Sequence, residues 1–275
     1  MPKRALVVGL GGLYGAYDAG VLSELGRHLP RNYFDAVYAC SAGVFAATFF
    51  VAGQPETIEN TWRNLVCGRQ LVNYLNPLRG RDILDIQYLT EIFQDQRSRL
   101  DTERAFHSPT KITYVLTDAR NGRAVYRQPS TDNWSELMRA TAAYPIVTKP
   151  VEIDGIVYRD GGLADPLPVQ KALTDGYKEI VAVVNKERGA HVRRGHFFTE
   201  LWRFFLPKPI RESLKSYRVR TKEIEGLLQS ELRIPIIRPA KRLPSRHILD
   251  TNKKRLNLAI DAGISDAKEF IANLK

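Results

Sequence analysis

Two cysteines, Cys40 and Cys67, are all that the 275 residues contain. No disulfide framework is implied, and a reducing, cytoplasmic setting is the simpler expectation. Long apolar runs are missing too. The run Val44–Val51 ends at Gly53-Gln54-Pro55, well short of the roughly 20 residues of a membrane-spanning helix, so integral insertion is not expected. A signal segment is not expected either, because Gly9, Gly11 and Gly12 interrupt the apolar residues that follow Lys3 and Arg4 within a few positions. There is no ligand spacing for zinc, no aromatic signature of RNA recognition, no internal repeat and no low-complexity segment. Neither a metal nor another cofactor is expected. What is left, a chain with 44% hydrophobic content, suffices for one large domain or two small ones around a buried sheet.

What the chain does have is positive charge. Its formal net charge of +11 calls for an anionic partner: nucleic acid, an anionic membrane surface or an acidic substrate. Without a recognition motif, nucleic acid is the weakest of the three. Two stretches concentrate the charge. Arg79 and Arg81 lie in the loop Asn76-Pro77-Leu78-Arg79-Gly80-Arg81-Asp82, either solvated or in reach of an anionic headgroup. Phe197, Phe198, Leu201, Trp202, Phe205 and Leu206 recur at helical spacing among basic residues that run on to Lys222. That stripe reads either as a helix packed on the core or as an interfacial helix on anionic lipid.

Several apolar runs end in chemistry. Ala5-Leu6-Val7-Val8 has the continuous apolarity of a parallel strand buried on both faces. It passes into Gly9-Leu10-Gly11-Gly12-Leu13-Tyr14-Gly15 and then a helical pattern. Such a loop aims N–H groups at an anionic atom near a helix N-terminus, a nucleotide phosphate or an oxyanion. As a dinucleotide fingerprint it is imperfect, since Tyr14 stands where the third glycine belongs. Ala36-Val37-Tyr38-Ala39-Cys40 runs into Ser41-Ala42-Gly43 and a further helix. This is the strand, sharp turn and helix of a nucleophile elbow, with Ala39 in place of the first glycine; a plain helix-capping serine is the other reading. Cys40 beside it reads as a small residue buried behind the turn.

Farther on, Lys111–Asp118 is β-rich, and Asn121-Gly122 is a hairpin turn into Ala124-Val125-Tyr126. Val151-Glu152-Ile153, the turn Asp154-Gly155 and Ile156–Asp160 form a second hairpin, whose aspartate precedes Gly161-Gly162. An acid there is a turn residue or a base presented to a cleft. A helix is expected from Pro166 to Ala172, a buried strand over Glu179–Val184, an edge strand over Ile234–Pro239 because of its prolines, and a final helix from Leu256 to Leu274 interrupted near Gly263.

The glycine loop, the elbow and the Asp-Gly-Gly turn, in that order, resemble the patatin-like phospholipase family over about Arg4 to Val184. The family's G-G-G-x-R-G loop corresponds to Leu10-Gly11-Gly12-Leu13-Tyr14-Gly15, its G-x-S-x-G to Ala39-Cys40-Ser41-Ala42-Gly43, and its D-G-G to Asp160-Gly161-Gly162. The flank Ala140–Pro168 is similar too. The chain departs from the pattern at Leu10, Tyr14 and Ala39, which leaves a weak or inactive lipid- or nucleotide-binding member as the alternative. The resemblance implies an α/β fold, a three-layer α/β/α sandwich with a mostly parallel central sheet. It implies lipid acyl hydrolysis by Ser41 as nucleophile and Asp160 as base, with Gly11, Gly12 and Leu13 donating N–H groups to the oxyanion. The expected substrates are phospholipids or lysophospholipids, met by peripheral contact with an anionic membrane surface at its inner face. The catalytic core is expected over 1–185 and a basic, mainly helical extension packed on it over 186–275. A Ser-His-Asp hydrolase using His191, His196 or His247 is the rival within the class.

Overall fold

The structure, a computed structural model, describes residues 3–190, 205–229 and 234–274. Strands β1 (Arg4–Val8), β2 (Ala36–Cys40), β3 (Lys111–Asp118), β4 (Ala124–Arg127), β5 (Val151–Ile153), β6 (Ile156–Asp160), β7 (Glu179–Val183) and β8 (Ile236–Ile237) form one sheet. They are joined in the order β5-β6-β3-β2-β1-β7-β8, with β4 also on β3. From β3 through β8 that path is parallel, whereas β4, β5 and β6 pair antiparallel. The expected strands stand within a residue or two, including the edge position of β8.

The central strands are apolar throughout because both faces are covered. Leu6, Val8, Val37, Ala39, Val181 and Val183 point into one core, shared with Tyr17, Val44, Ile58 and Ile260 from α1 (Gly15–His28), α2 (Gly43–Ala52), α3 (Pro55–Asn64) and α9 (Lys253–Ala272). Their neighbours Ala5, Val7, Ala36, Tyr38, Ile180 and Ala182 point the other way, onto Leu167, Val169, Ala172 and Leu228. The last three belong to α7 (Val169–Thr174) and α8 (Lys208–Leu228). The period-two alternation of strand side chains thus builds an α/β/α sandwich. The remaining α-helices among the described residues are α4 (Ile86–Ile92), α5 (Thr102–Phe106) and α6 (Trp134–Thr141).

Two expectations are corrected. The final helix is not broken near Gly263: α9 runs unbroken, and Gly263 lies where a Cβ would collide with the Tyr17 carbonyl of α1. Gly20 of α1 reciprocates against the Ile260 carbonyl. Small residues here serve a close helix crossing, which a reading by propensity takes for a break. The helix expected from Pro166 begins only at Val169. The Pro166 carbonyl instead accepts the Leu10 N–H and the Cys40 thiol, tying this stretch to the glycine loop and the elbow. The aromatic stripe falls largely within 191–204, outside the described residues. No described helix is long and apolar enough to cross a membrane.

Candidate active site

The site grows from the end of β2. After Cys40 the chain turns at Ser41, whose φ of 51° is left-handed, and α2 starts two residues later. A non-glycine residue held there is strained and must be held by its surroundings. Thr141, at the end of α6, supplies that hold: its Oγ1 accepts the Ser41 N–H at 2.9 Å and donates to the Val115 carbonyl at 2.5 Å. Gly43 is required because a Cβ would stand 2.7 Å from the Gly9 carbonyl oxygen. The small residues around Ser41 therefore let the elbow and the glycine loop touch.

Asp160 arrives from the opposite direction. The Ser41 hydroxyl donates to its Oδ2 at 2.7 Å, across 119 positions of sequence. Oδ1 accepts the Gly162 N–H at 2.8 Å. The backbone of Asp160 is held at both ends, its N–H by the Ala143 carbonyl and its carbonyl by the Thr117 hydroxyl. The carboxyl is 2% exposed and Ser41 6%. Burial raises the Asp160 pKa to about 7, against the two hydrogen bonds that favour the charged form. At neutral pH the carboxyl is therefore about half ionised, the range in which a general base works best.

The glycine loop lies against both. A Cβ at Gly162 would meet the Leu10 side chain at 2.7 Å, and one at Gly15 would meet Ala42 at 3.1 Å. Gly12 has a φ of +55°. The amides of Gly11 and Gly12 donate to no protein acceptor among the described residues. The Leu13 N–H does, reaching the Ile248 carbonyl at 2.7 Å. Of the three amides named from the resemblance, two have no acceptor among the described residues and one is taken by the segment ahead of α9.

Sequence reasoning missed Thr141, Ile248 and Asn185. The Asn185 amide, two residues past β7, donates to the Leu10 carbonyl at 3.2 Å and to Asp18 Oδ2 at 2.8 Å. Gly11 must be glycine here, because a Cβ would overlap that side chain. Asp18, in the first turn of α1, is fully buried, and burial lifts its pKa to about 8 against the Asn185 donor. Its other oxygen has no hydrogen-bond partner among the described residues. The one available signal for Asn185 was its place just beyond the carboxyl end of a buried strand, where open α/β sheets gather their sites. Cys40 is buried and donates to Pro166, with its thiol pKa pushed well up by burial and by Asp160. Among the described histidines, none bonds Ser41 or Asp160: His247 Nδ1 accepts the Leu249 N–H. His191 and His196 lie outside the described residues.

Fold and site together define an α/β/α sandwich that pairs a serine on an elbow with a buried carboxyl, beside a glycine loop. The sequence model of the family described as patatin-like phospholipase matches residues 6–173, more than half of the chain, and the chain belongs to that family. It is 31% identical over 184 residues to an uncharacterized protein, YjjU, of Escherichia coli, covering 66% of this chain and 51% of the relative. It is 28% identical over 170 residues to an uncharacterized NTE family protein of Mycobacterium tuberculosis, covering 61% and 45%. The chain thus spans about half the length of the curated relatives it matches. Among solved structures, VipD from Legionella pneumophila shares the fold, with a TM-score of 0.50 at 11% identity over 98% of this chain and 67% of that one.

Proposed function

We propose that the chain is a serine lipid acyl hydrolase of the phospholipase A or lysophospholipase type, working by a Ser41–Asp160 dyad. The observation that carries this reading is the 2.7 Å hydrogen bond from Ser41 to a buried carboxyl with a pKa of about 7. Ionised Asp160 takes the hydroxyl proton on Oδ2 as Ser41 Oγ attacks the ester carbonyl carbon. The carbonyl oxygen becomes an oxyanion, and the free amides of Gly11 and Gly12 are the donors for it. The tetrahedral intermediate expels the alcohol, which leaves with the proton from Asp160. Water then attacks the acyl-serine, Asp160 accepts its proton and returns one to Ser41, and the fatty acid departs. The Leu13 amide joins the oxyanion donors only when Ile248 lets go of it. The substrate is reached by peripheral contact with an anionic membrane, in keeping with the charge of +11.

A second reading has its own support. The covered serine and the Leu13 to Ile248 bond suit a member that binds lipid without turning it over. Hydrolysis of a phospholipid and lysophospholipid panel by the wild type, Ser41→Ala and Asp160→Asn, with fluorophosphonate labelling alongside, separates the two. Hydrolysis and labelling that both disappear in Ser41→Ala support the dyad; folded wild type that neither labels nor hydrolyses supports the binding module.

A further inference from the structure

Residues 71–85 form a loop with a well-tied base and a bare tip. At the base Val72 bridges Leu84, the Asn73 N–H reaches the Ile83 carbonyl and the Asp85 N–H the Leu71 carbonyl. At the tip, beside the short helical turn Asn76–Arg79, Tyr74 is 61% exposed, Leu75 62% and Leu78 85%. Nowhere else among the described residues do three large apolar side chains stand exposed within five positions. Arg69, Arg79 and Arg81 are exposed around them and form no ion pair among the described residues.

The tip is tied to the site. The Leu84 N–H reaches the Val147 carbonyl, and Lys149 Nζ reaches the Gly80 carbonyl. Val147 and Lys149 belong to the run that leaves Ala143, whose carbonyl holds the Asp160 N–H, and Arg159 in turn holds the Thr148 carbonyl. The strand that follows pairs Val151 with Tyr158, and Tyr158 with Asp118 at the carboxyl end of β3. The loop therefore hangs at the end of the sheet where Ser41 lies. A second exposed stretch with the same chemistry, Arg246-His247-Ile248, lies across the glycine loop through the Ile248 carbonyl.

Three side chains on a turn cover far less than the about 800 Å² per partner of a stable protein interface. They match instead the requirement of an interfacial anchor, apolar groups at acyl-chain depth and guanidinium groups at the phosphates. We propose that Tyr74, Leu75 and Leu78 insert into the surface of an anionic bilayer while Arg79 and Arg81 engage its headgroups, which sets the mouth of the Ser41 site against the membrane. The purpose of the anchor rests on the lipid-hydrolase reading; the anchor itself does not require turnover.

The test is co-sedimentation of the full chain, carrying Ser41→Ala to silence turnover, with phosphatidylcholine vesicles with and without phosphatidylglycerol. Binding is expected only with the anionic lipid, and about tenfold weaker in Leu75→Ser/Leu78→Ser. Arg79→Gln/Arg81→Gln weakens it several-fold at low salt and hardly at high salt, and Leu258→Ser on the α9 surface leaves it unchanged. Hydrolysis of a monomeric short-chain ester and the melting curve, both measured with Ser41 intact, stay at wild-type values in the loop variants. Absence of binding to anionic vesicles, or equal binding by Leu75→Ser/Leu78→Ser, overturns the anchor. Binding that follows the loop variants in a protein that turns over no ester keeps the anchor and removes the hydrolase.

Discussion

Cys40 and Asp160 occupy consecutive places along one edge of β3: Cys40 pairs with Val115 and Asp160 with Leu116. A strand has two hydrogen-bonding edges, and the partners of β3 overlap in a way that assigns them. Residues 114 and 115 pair with both β2 and β4, and 116 and 117 with both β4 and β6. The strands β2 and β6 therefore share an edge, the second taking over where the first ends. Ser41 leaves β2 at the point where Asp160 closes β6, which is why the hydroxyl and the carboxyl meet.

This handover leaves no room at Gly161. A Cβ there would run into the Val115 carbonyl, whereas one at Gly155 in the hairpin turn meets open space. Gly161→Ala is expected to cost about 1–3 kcal/mol or more by overpacking and to abolish fluorophosphonate labelling of Ser41. Gly155→Ala strains only its own turn and keeps labelling. Thermal melts with labelling gels check the pair, and equal labelling of both variants would contradict the handover.

Thr141 positions rather than reacts. Thr141→Val keeps the shape but leaves the Ser41 N–H and the Val115 carbonyl buried without their partner, at a cost of about 1–3 kcal/mol. The expected kinetic signature is a kcat lowered about tenfold with KM nearly unchanged, because the strained serine relaxes away from Asp160. Thr141→Ser is expected to restore both. Steady-state kinetics on a soluble ester decides; a change confined to KM would assign Thr141 to substrate contact.

The pH dependence of activity follows from Asp160. The dyad needs the ionised carboxyl, so kcat/KM rises with pH through about 7 and then levels off. A rising limb near pH 4 would mean that the carboxyl is solvated like a free aspartate.

Stability runs the other way with pH at Asp18. Its folded pKa of about 8 exceeds the value near 3.9 of an unfolded chain, so between these the folded state holds the extra proton. Its contribution is full below about pH 4 and is lost as pH rises through about 8. Asp18→Asn cannot ionise, and its new amide replaces an oxygen that has no partner among the described residues. The variant's Tm advantage over wild type should therefore grow from pH 5 to pH 8, at about 2–4 °C per kcal/mol for a chain near this size. Parallel Tm curves would show that Asp18 ionises freely.

Much of this was legible because it is local. Strand periodicity, the glycine loop, the serine turn between small residues and the two hairpins are written in stretches of a dozen residues, and their order sufficed for the family. The exposed tip at Leu75 and Leu78 was visible only as a charged loop, since periodicity does not say which apolar residues stay outside. By itself, then, the sequence determined the strands of the sheet, the chemistry at their ends and the family. Only the tertiary structure decided that β6 continues the edge β2 leaves, that Thr141 and Asn185 brace the turn and the loop, and that Ile248 takes the Leu13 amide. Each of those contacts joins residues at least a hundred positions apart, and backbone groups carry no side-chain signature of the partner they will find.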